Sequence, residues 1–314
     1  MKRLLTLLLI VILLFLGFLY FLVPATITIQ ATEAYPANRE SVYRYLSQVE
    51  KWRNWWPGTI SRGTSAADSL EFNQHRFAIT RIGYQLIGFD VWHPEEKLAA
   101  ELKAIPLAKD SLGLVFSASL PAGNMPWTRI AAYFRAQEIK STLDSLLTAI
   151  ITHTSDLRNL YGVKIVNEKV QYADVLSTSV DLNHYPTTAE IYAQIDKLRD
   201  HARQAGAQEL FSPMVNVNGD SISKIRLQVG LPINRKIAGT DDISVKWMMK
   251  DGNILVAEVT GPQSLVNEAQ KQMEQYIIDY HRTIIAIPFH MHITDRRQNP
   301  DSLKWVTKIY YPVV

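Results

Sequence analysis

The sequence predicts an α+β protein with two globular domains behind an N-terminal transmembrane helix. Three observations lead to this prediction: an apolar run over residues 4–23, alternating strands with one long amphipathic helix in residues 26–161, and an internal repeat in residues 162–314. A chain of 314 residues gives each domain enough length to bury a core. Its 47% hydrophobic and 20% charged content is typical of a globular protein and excludes a disordered one.

Composition also excludes several kinds of chemistry. The chain has no cysteine, which excludes disulfides, thiolate metal sites and a cysteine nucleophile. It carries 33 basic against 30 acidic residues, and Lys2 and Arg3 are two of the basic ones, so the remainder is nearly neutral. A neutral body has no strong electrostatic attraction to nucleic acid, and we expect no nucleic-acid partner.

Residues 4–23 predict a membrane-spanning helix, because only Thr6, Gly17 and Tyr20 interrupt their apolar character. Twenty helical residues span about 30 Å, the thickness of the hydrocarbon core of a bilayer. Lys2 and Arg3 precede this run, and the first basic residue after it is Arg39. This asymmetry predicts a cytoplasmic N-terminus. The alternative, a cleaved signal peptide, has a shorter apolar core of about 7–15 residues. We therefore expect residues 1–25 to be a single-pass anchor in the cytoplasmic membrane, with both domains outside the cytoplasm.

The first domain, residues 26–161, is predicted to be an antiparallel sheet around a long helix. Residues 27–35 alternate as in a strand, a helix begins near Asn38, and a tryptophan cluster follows at Trp52, Trp55 and Trp56. Further strands are predicted between residues 70 and 134, the last of them WTRIAAYF (127–134). Apolar residues at three- and four-residue steps then predict a helix from about 135 to 160.

The second domain, residues 162–314, contains two copies of a strand–helix–strand–strand pattern. The first copy has strands at 170–180, 212–218 and 224–233 and a helix at 187–204. The second copy has strands at 253–261, 287–293 and 304–314 and a helix at 263–281. A duplication of this kind predicts two similar halves related by a pseudo-twofold axis, with a cleft between them.

Both domains resemble known families. The first resembles the helix-grip superfamily of START lipid-transfer domains and polyketide cyclases, through the stretch AYPANRESVYRYLSQVEKWRNWWP (34–57) and the helix that ends the domain. The second resembles the effector-binding domain of bacterial AraC- and MerR-type regulators, also called GyrI-like, through its duplication, GPQSLVNEA (261–269) and IYYPV (309–313). Both resemblances imply a bacterial protein that buries a small apolar or amphipathic ligand. DNA binding does not carry over, because no helix-turn-helix precedes the second domain.

The chain departs from the effector-binding family at one strand. The family carries a Glu two residues before a Tyr where this chain has His290 and His292. In the family that carboxylate engages cationic ligands and assists hydrolysis in some members, and its replacement puts both roles in doubt here. Residues at i and i+2 of a strand share a face, so the two histidines could form half a metal site, form an acid–base pair, or be polar residues at a pocket wall or on the solvent face. No third ligand has matching spacing, and we expect no metal and no cofactor.

Candidate ligand contacts are aromatic side chains and these two histidines. Aromatic faces bind cations and flat rings, although each such residue is also typical of a core. The predicted contacts are Trp55, Trp56, Tyr192, Trp247, Tyr276, His290, His292 and Tyr310.

The expected function is non-catalytic sensing or sequestering of a small hydrophobic or aromatic molecule by a membrane-anchored, extracytoplasmic protein. The sequence has no G-x-S-x-G, H-E-x-x-H, phosphate-binding or dinucleotide-binding motif. A hydrolase or cyclase is the alternative, with Glu190 or Glu258 in place of the missing carboxylate. A protein-interaction scaffold and a lipid shuttle are further alternatives.

Overall fold

A computed structural model describes residues 24–61, 69–93, 96–108, 111–219 and 224–314, together with the single positions 7, 10, 11, 14 and 17. The chain divides into two compact units, Met1–Asp156 (unit 1) and Leu157–Val314 (unit 2). Each unit has one antiparallel sheet and at least one long helix, which confirms the α+β character of the fold.

The transmembrane helix in the predicted fold class requires correction. No helix in the described part of the chain is both long and apolar enough to cross a bilayer. The helix Pro126–Thr154 has sufficient length at 29 residues, but it carries charged side chains that include Arg135, Lys140 and Asp144. The predicted segment, residues 4–23, lies outside the described residues apart from the single positions above. The predicted single-pass localisation in the cytoplasmic membrane depended on this helix and is wrong for the same reason.

Unit 1 is built around a seven-stranded antiparallel sheet in the order β1-β7-β6-β5-β4-β3-β2. Strands β2 to β7 follow one another as neighbours, and β1 pairs with β7 along its whole length, from Thr26↔Pro121 to Tyr35↔Leu112. The strands are β1 (Thr26–Tyr35), β2 (Thr59–Ser61), β3 (Ser69–Phe72), β4 (His75–Gly83), β5 (Leu86–His93), β6 (Glu96–Ala108) and β7 (Ser111–Pro121).

Three helical segments accompany this sheet between residues 24 and 156 as far as the structure describes them. They are α1 (Arg39–Leu46), a short 3-10 helix (Val49–Asn54) and α2 (Pro126–Thr154). Helix α2 packs on β1 and β7 through residues such as Ile139, Leu143 and Ile150, which recur at three- and four-residue steps. The predicted helix is therefore present.

The predicted strand WTRIAAYF is wrong, because these residues form the first turns of α2. Trp, Ile, Tyr and Phe favour strands, but Pro126 occupies the first helical position, where its fixed φ favours a helix. As a result Trp127, Tyr133 and Phe134 lie exposed on the helix surface. Helix α2 ends at Thr154, and a separate short helix, α3 (Leu157–Tyr161), follows in unit 2.

Unit 2 contains both copies of the predicted repeat. The first copy comprises β9 (Asp174–Leu182), α4 (Thr188–Gln204), β10 (Met214–Asn218) and β11 (Ile225–Pro232). The second comprises β13 (Asn253–Thr260), α5 (Gln263–Asp279), β14 (Phe289–His292) and β15 (Val306–Pro312), with a 3-10 turn at Ser302–Lys304. One further strand precedes each copy, namely β8 (Ile165–Lys169) and β12 (Ser244–Trp247).

The eight strands form one antiparallel sheet in the order β12-β9-β11-β10-β14-β15-β13-β8. The two copies meet at its centre, where β10 pairs with β14 through Met214↔Met291 and Val215↔His290. The outermost strands are exchanged: β8 precedes the first copy in sequence but pairs with β13 of the second, whereas β12 precedes the second copy but pairs with β9 of the first.

The sheet of unit 2 has two different faces. On the face that packs against α4 and α5, here called the helix face, Val215, Leu227 and Val229 form a core with Ile195 and other residues of α4. Alternation along the strands directs a second apolar cluster to the other side, here called the opposite face. That cluster includes Val175, Ile254, Val256, Phe289 and Met291.

Candidate functional site

A cavity of about 910 Å³ lies mainly on the opposite face of unit 2 and extends round its β9–β12 edge to Gln194 and Lys197 of α4. Its apolar lining includes Met214, Met248 and Phe289, and Gly230 lies between strands that pack closely. A Cβ at Gly230 would lie 3.1 Å from Val175 Cγ1, so glycine permits this close packing. The cavity therefore has an apolar floor that the packing of the strands holds in place.

Trp247 forms part of the wall of this cavity. It lies at the end of β12, opposite Asp174 of β9, and its side chain is 72% exposed. Ile287, another lining residue, is also exposed. A large indole left in water beside an apolar cavity is available to pack against a ligand.

Polar side chains of the strands complete the lining. Ser177, Ser179, Asn216 and Gln228 are the neutral ones, and the Gln228 amide donates to Ser177 Oγ at 3.2 Å. Charged residues of both signs also line the cavity: Lys197, Arg226, Asp241, Asp242 and Lys246. Lys197 and Asp242 pair with each other at 3.3 Å. The cavity thus offers hydrogen-bonding groups without a strong excess of either charge.

Tyr310 supports the floor of the cavity from the neighbouring strand β15. Its ring stacks on Phe289, with ring centroids 4.9 Å apart and planes 11° apart. Burial, with smaller contributions from Glu168 and Glu258, raises the pKa of the Tyr310 phenol to about 12. The phenol is therefore neutral at physiological pH and acts here as an aromatic support.

His290 and His292 lie on the helix face, on the other side of the sheet from the cavity. The Nε2 atom of His290 lies 3.1 Å from Gln270 Oε1 of α5, and the ring of His292 is 6.5 Å from that of Tyr192 on α4. Burial, followed by the positive charge of Arg296, lowers the pKa of His290 to about 4 and that of His292 to about 3. Both imidazoles are neutral near pH 7. No group of three potential metal ligands occurs in the described part of the chain.

The remaining predicted contacts in unit 2 are two tyrosines of the helices. Tyr192 is buried, and its hydroxyl oxygen accepts a hydrogen bond of 2.9 Å from the backbone N–H of Arg296. Tyr276 belongs to an aromatic group in which its ring stacks on Tyr280 at 4.4 Å and meets Tyr161 edge-on at 5.4 Å. Neither tyrosine contributes to the lining of the cavity.

Trp55 and Trp56 belong to a compact aromatic cluster in unit 1. Each is 7% exposed, and their ring centroids lie 4.8 and 5.9 Å from that of Trp52. The Trp56 indole donates to Glu71 O at 3.2 Å, whereas Trp55 Nε1 is buried without an acceptor among the described residues. The structure gives these residues a place in a core, and their contact with a ligand stays a prediction.

The two carboxylates considered for catalysis have other partners. Glu190 accepts hydrogen bonds from the backbone N–H and hydroxyl of Thr187, at 2.8 and 2.7 Å, and so closes a capping box at the start of α4. Glu258 is exposed and lies 3.7 Å from Lys308. Both lie away from the lining of the cavity.

Arg296 is the residue of this region that the sequence did not point to. It lies in the loop between β14 and β15, and its side chain is buried beside His290 and His292.

No family model and no curated protein matches this chain. Among solved structures, the chain is similar to the C-terminal domain of EcmrR, with 14% identity, 48% of this chain and 98% of that chain covered, and a TM-score of 0.41. A hydrolase from Listeria innocua matches with 10% identity, 48% and 92% coverage and a TM-score of 0.36. The Zhui aromatase/cyclase from Streptomyces sp. R1128 matches with 12% identity, 41% and 94% coverage and a TM-score of 0.30.

Proposed function

We propose that this protein binds a small hydrophobic or aromatic molecule without catalysis, and that the ligand occupies the cavity on the opposite face of unit 2. The observation that carries this proposal is the exposed indole of Trp247 beside the apolar floor of a cavity of about 910 Å³. Sites for drug-sized molecules have volumes of roughly 300–1,000 Å³. This cavity combines its apolar floor with polar and charged side chains in about equal share.

The lining residues indicate which ligands fit. Met214 and Met248 have flexible side chains that adapt to differently shaped apolar groups. Phe289 offers a fixed aromatic surface because Tyr310 stacks behind it. The serine and amide groups can orient a ligand by hydrogen bonds. We therefore infer that the preferred ligand is a flat or amphipathic molecule with little net charge.

Trp247 provides a direct test of this proposal. A library of aromatic, cationic and acyl compounds would be screened against the full chain by native mass spectrometry, and hits would be titrated by calorimetry. We expect Trp247→Ala to weaken the best ligand about tenfold or more, because a buried aromatic contact commonly contributes at least 1.4 kcal/mol to binding. Trp127→Ala is the matched control, since Trp127 is an exposed tryptophan of unit 1.

Two results would count against the proposal. If Trp247→Ala and Trp127→Ala bind the ligand equally well, the cavity is not the binding site. If no compound of the library binds, the protein-interaction scaffold becomes the better interpretation.

A further inference from the structure

The guanidinium of Arg296 is buried without an acidic partner. The residue is 8% exposed, and its guanidinium donates to two neutral acceptors, Gln263 Oε1 at 3.1 Å and Thr307 Oγ1 at 3.0 Å. Its Nε–H is buried and has no acceptor within the described ranges. The ion pairs of the described residues do not include Arg296, and the neighbouring Asp295 pairs with Arg297 at 3.2 Å.

This arrangement is unusual for a buried charge. Buried arginines are normally paired, because removing an ion from water is costly unless an opposite charge or full hydrogen bonding compensates. The guanidinium has five N–H donors in a planar fork that fits a carboxylate or a phosphate. Two neutral acceptors and the ring of Trp305, 4.6 Å away, leave that capacity partly unused.

The start of helix α5 lies close to Arg296 and adds positive potential in this region. Gln263, which accepts from Arg296, is the first residue of α5. Pro262 is the N-cap and makes no side-chain capping bond. The first backbone N–H groups of a helix carry a partial positive charge and bind anions readily.

Among the described residues, the groups that act on the pKa of Arg296 are the phenols of Tyr192 and Tyr185, and no carboxylate is among them. Asp295, its neighbour in sequence, pairs instead with Arg297 and hydrogen-bonds Tyr192. His290 and His292 are neutral near pH 7, and His292 Nδ1 is a buried atom with no described partner. Tyr185 and Tyr192 are phenols whose pKa values burial raises. Tyr185 is 54% exposed, so the cluster borders on solvent at this residue.

We propose that unit 2 binds a small oxyanion, a carboxylate or phosphate group, at Arg296. The Nε–H of Arg296 is the principal donor, and the first N–H groups of α5 and His292 Nδ1 are additional donors. Arg296, Gln263 and His292 are not among the residues that line the cavity, so the two proposals stand independently. An aromatic ligand and an oxyanion would bind to different residues of the same sheet.

The test is calorimetric titration of the full chain with sodium phosphate, and separately with sodium acetate, at pH 7 and constant ionic strength. We expect saturable binding of at least one anion with one site per chain. Arg296→Met should weaken it about tenfold or more, because a hydrogen bond to a charged group contributes more than a neutral one. Arg203→Met, which removes an exposed cation of α4, should leave the affinity unchanged.

A second variant covers the case in which Arg296→Met does not fold. Arg296→Lys retains the charge but lacks the Nε–H and the planar fork, and we expect it to bind the anion several-fold more weakly. The proposal is overturned if the wild type binds neither anion, or if Arg296→Lys or a folded Arg296→Met binds as tightly as the wild type. Neither result bears on the proposed binding of an aromatic ligand at Trp247, which is tested separately.

Discussion

Acid should destabilise unit 2 through His290 and His292. Their pKa values are about 4 and about 3 in the folded protein, against 6.5 for an unperturbed imidazole. The unfolded chain therefore binds protons at a pH where the folded chain does not. Because the folded pKa values are depressed, this contribution to stability is present above pH 6.5 and is lost as the pH falls towards 4 and 3.

The size of the effect follows from the same values. When the pH falls from 7 to 5, each histidine becomes protonated in the unfolded chain but stays neutral in the folded one. This difference lowers the free energy of unfolding by about 2 kcal/mol per histidine. The two together account for about 4 kcal/mol, which is a large part of the roughly 5–15 kcal/mol that stabilises a typical domain. Both imidazoles lie between the sheet and the helices, so their protonation requires either opening of this interface or burial of a charge beside Arg296.

The assay is urea denaturation at pH 7, 6 and 5, with the wild type compared with the double variant His290→Gln/His292→Gln. Contributions from His75 and His153, whose pKa values are also lowered by burial, are common to both proteins and cancel. We expect the stability of the wild type relative to the double variant to fall by about 4 kcal/mol from pH 7 to pH 5. A wild-type-minus-variant difference that does not change with pH would refute the reasoning.

Three further predictions concern stability. Trp52→Ala should lower the free energy of unfolding of unit 1 by about 3–5 kcal/mol, measured by urea denaturation, because Trp52 is fully buried and donates to Leu46 O at 2.7 Å; an equal loss in the exposed-site variant Trp127→Ala would contradict this. Glu190→Ala should lower the midpoint of thermal denaturation through loss of the capping box, whereas Glu190→Gln should retain most of the wild-type stability. Tyr161→Phe should cost about 1.5–3 kcal/mol in urea denaturation, because its hydroxyl donates to the buried Asp279 carboxylate at 2.6 Å; no loss would show that this bond makes no net contribution.

The repeat in unit 2 could be predicted because both copies show the same order of strand and helix periodicity. The exchange of β8 and β12 could not, since these strands are short and pairing between distant segments leaves no trace in local pattern. In unit 1 the strand propensity of WTRIAAYF misled the prediction, because tertiary packing and Pro126 outweigh a weak local preference.

In the candidate site, too, features set by local sequence could be predicted, and features set by packing could not. The spacing of His290 and His292 predicts that they share a face, but a period of two does not say which face packs against helices. Trp247 could be selected as an aromatic residue, whereas its exposure beside a cavity is known only from the fold. Arg296 has no signal in the sequence, since an arginine in a polar loop is ordinarily in water.

The strand exchange in unit 2 has a consequence for how the chain folds. Each copy of the repeat is completed by a strand that lies before the other copy, so β8 must find β13 and β12 must find β9 across long stretches of sequence. Pairing between such distant segments gives the sheet a high contact order. Folding is slow as a result, because closing long loops costs chain entropy before any pairing is gained. A cut between β11 and β12 would leave two fragments, each with an unpaired sheet edge and each holding the strand that the other lacks. Unit 2 should therefore fold in one cooperative step, and its separated halves should regain structure only when mixed.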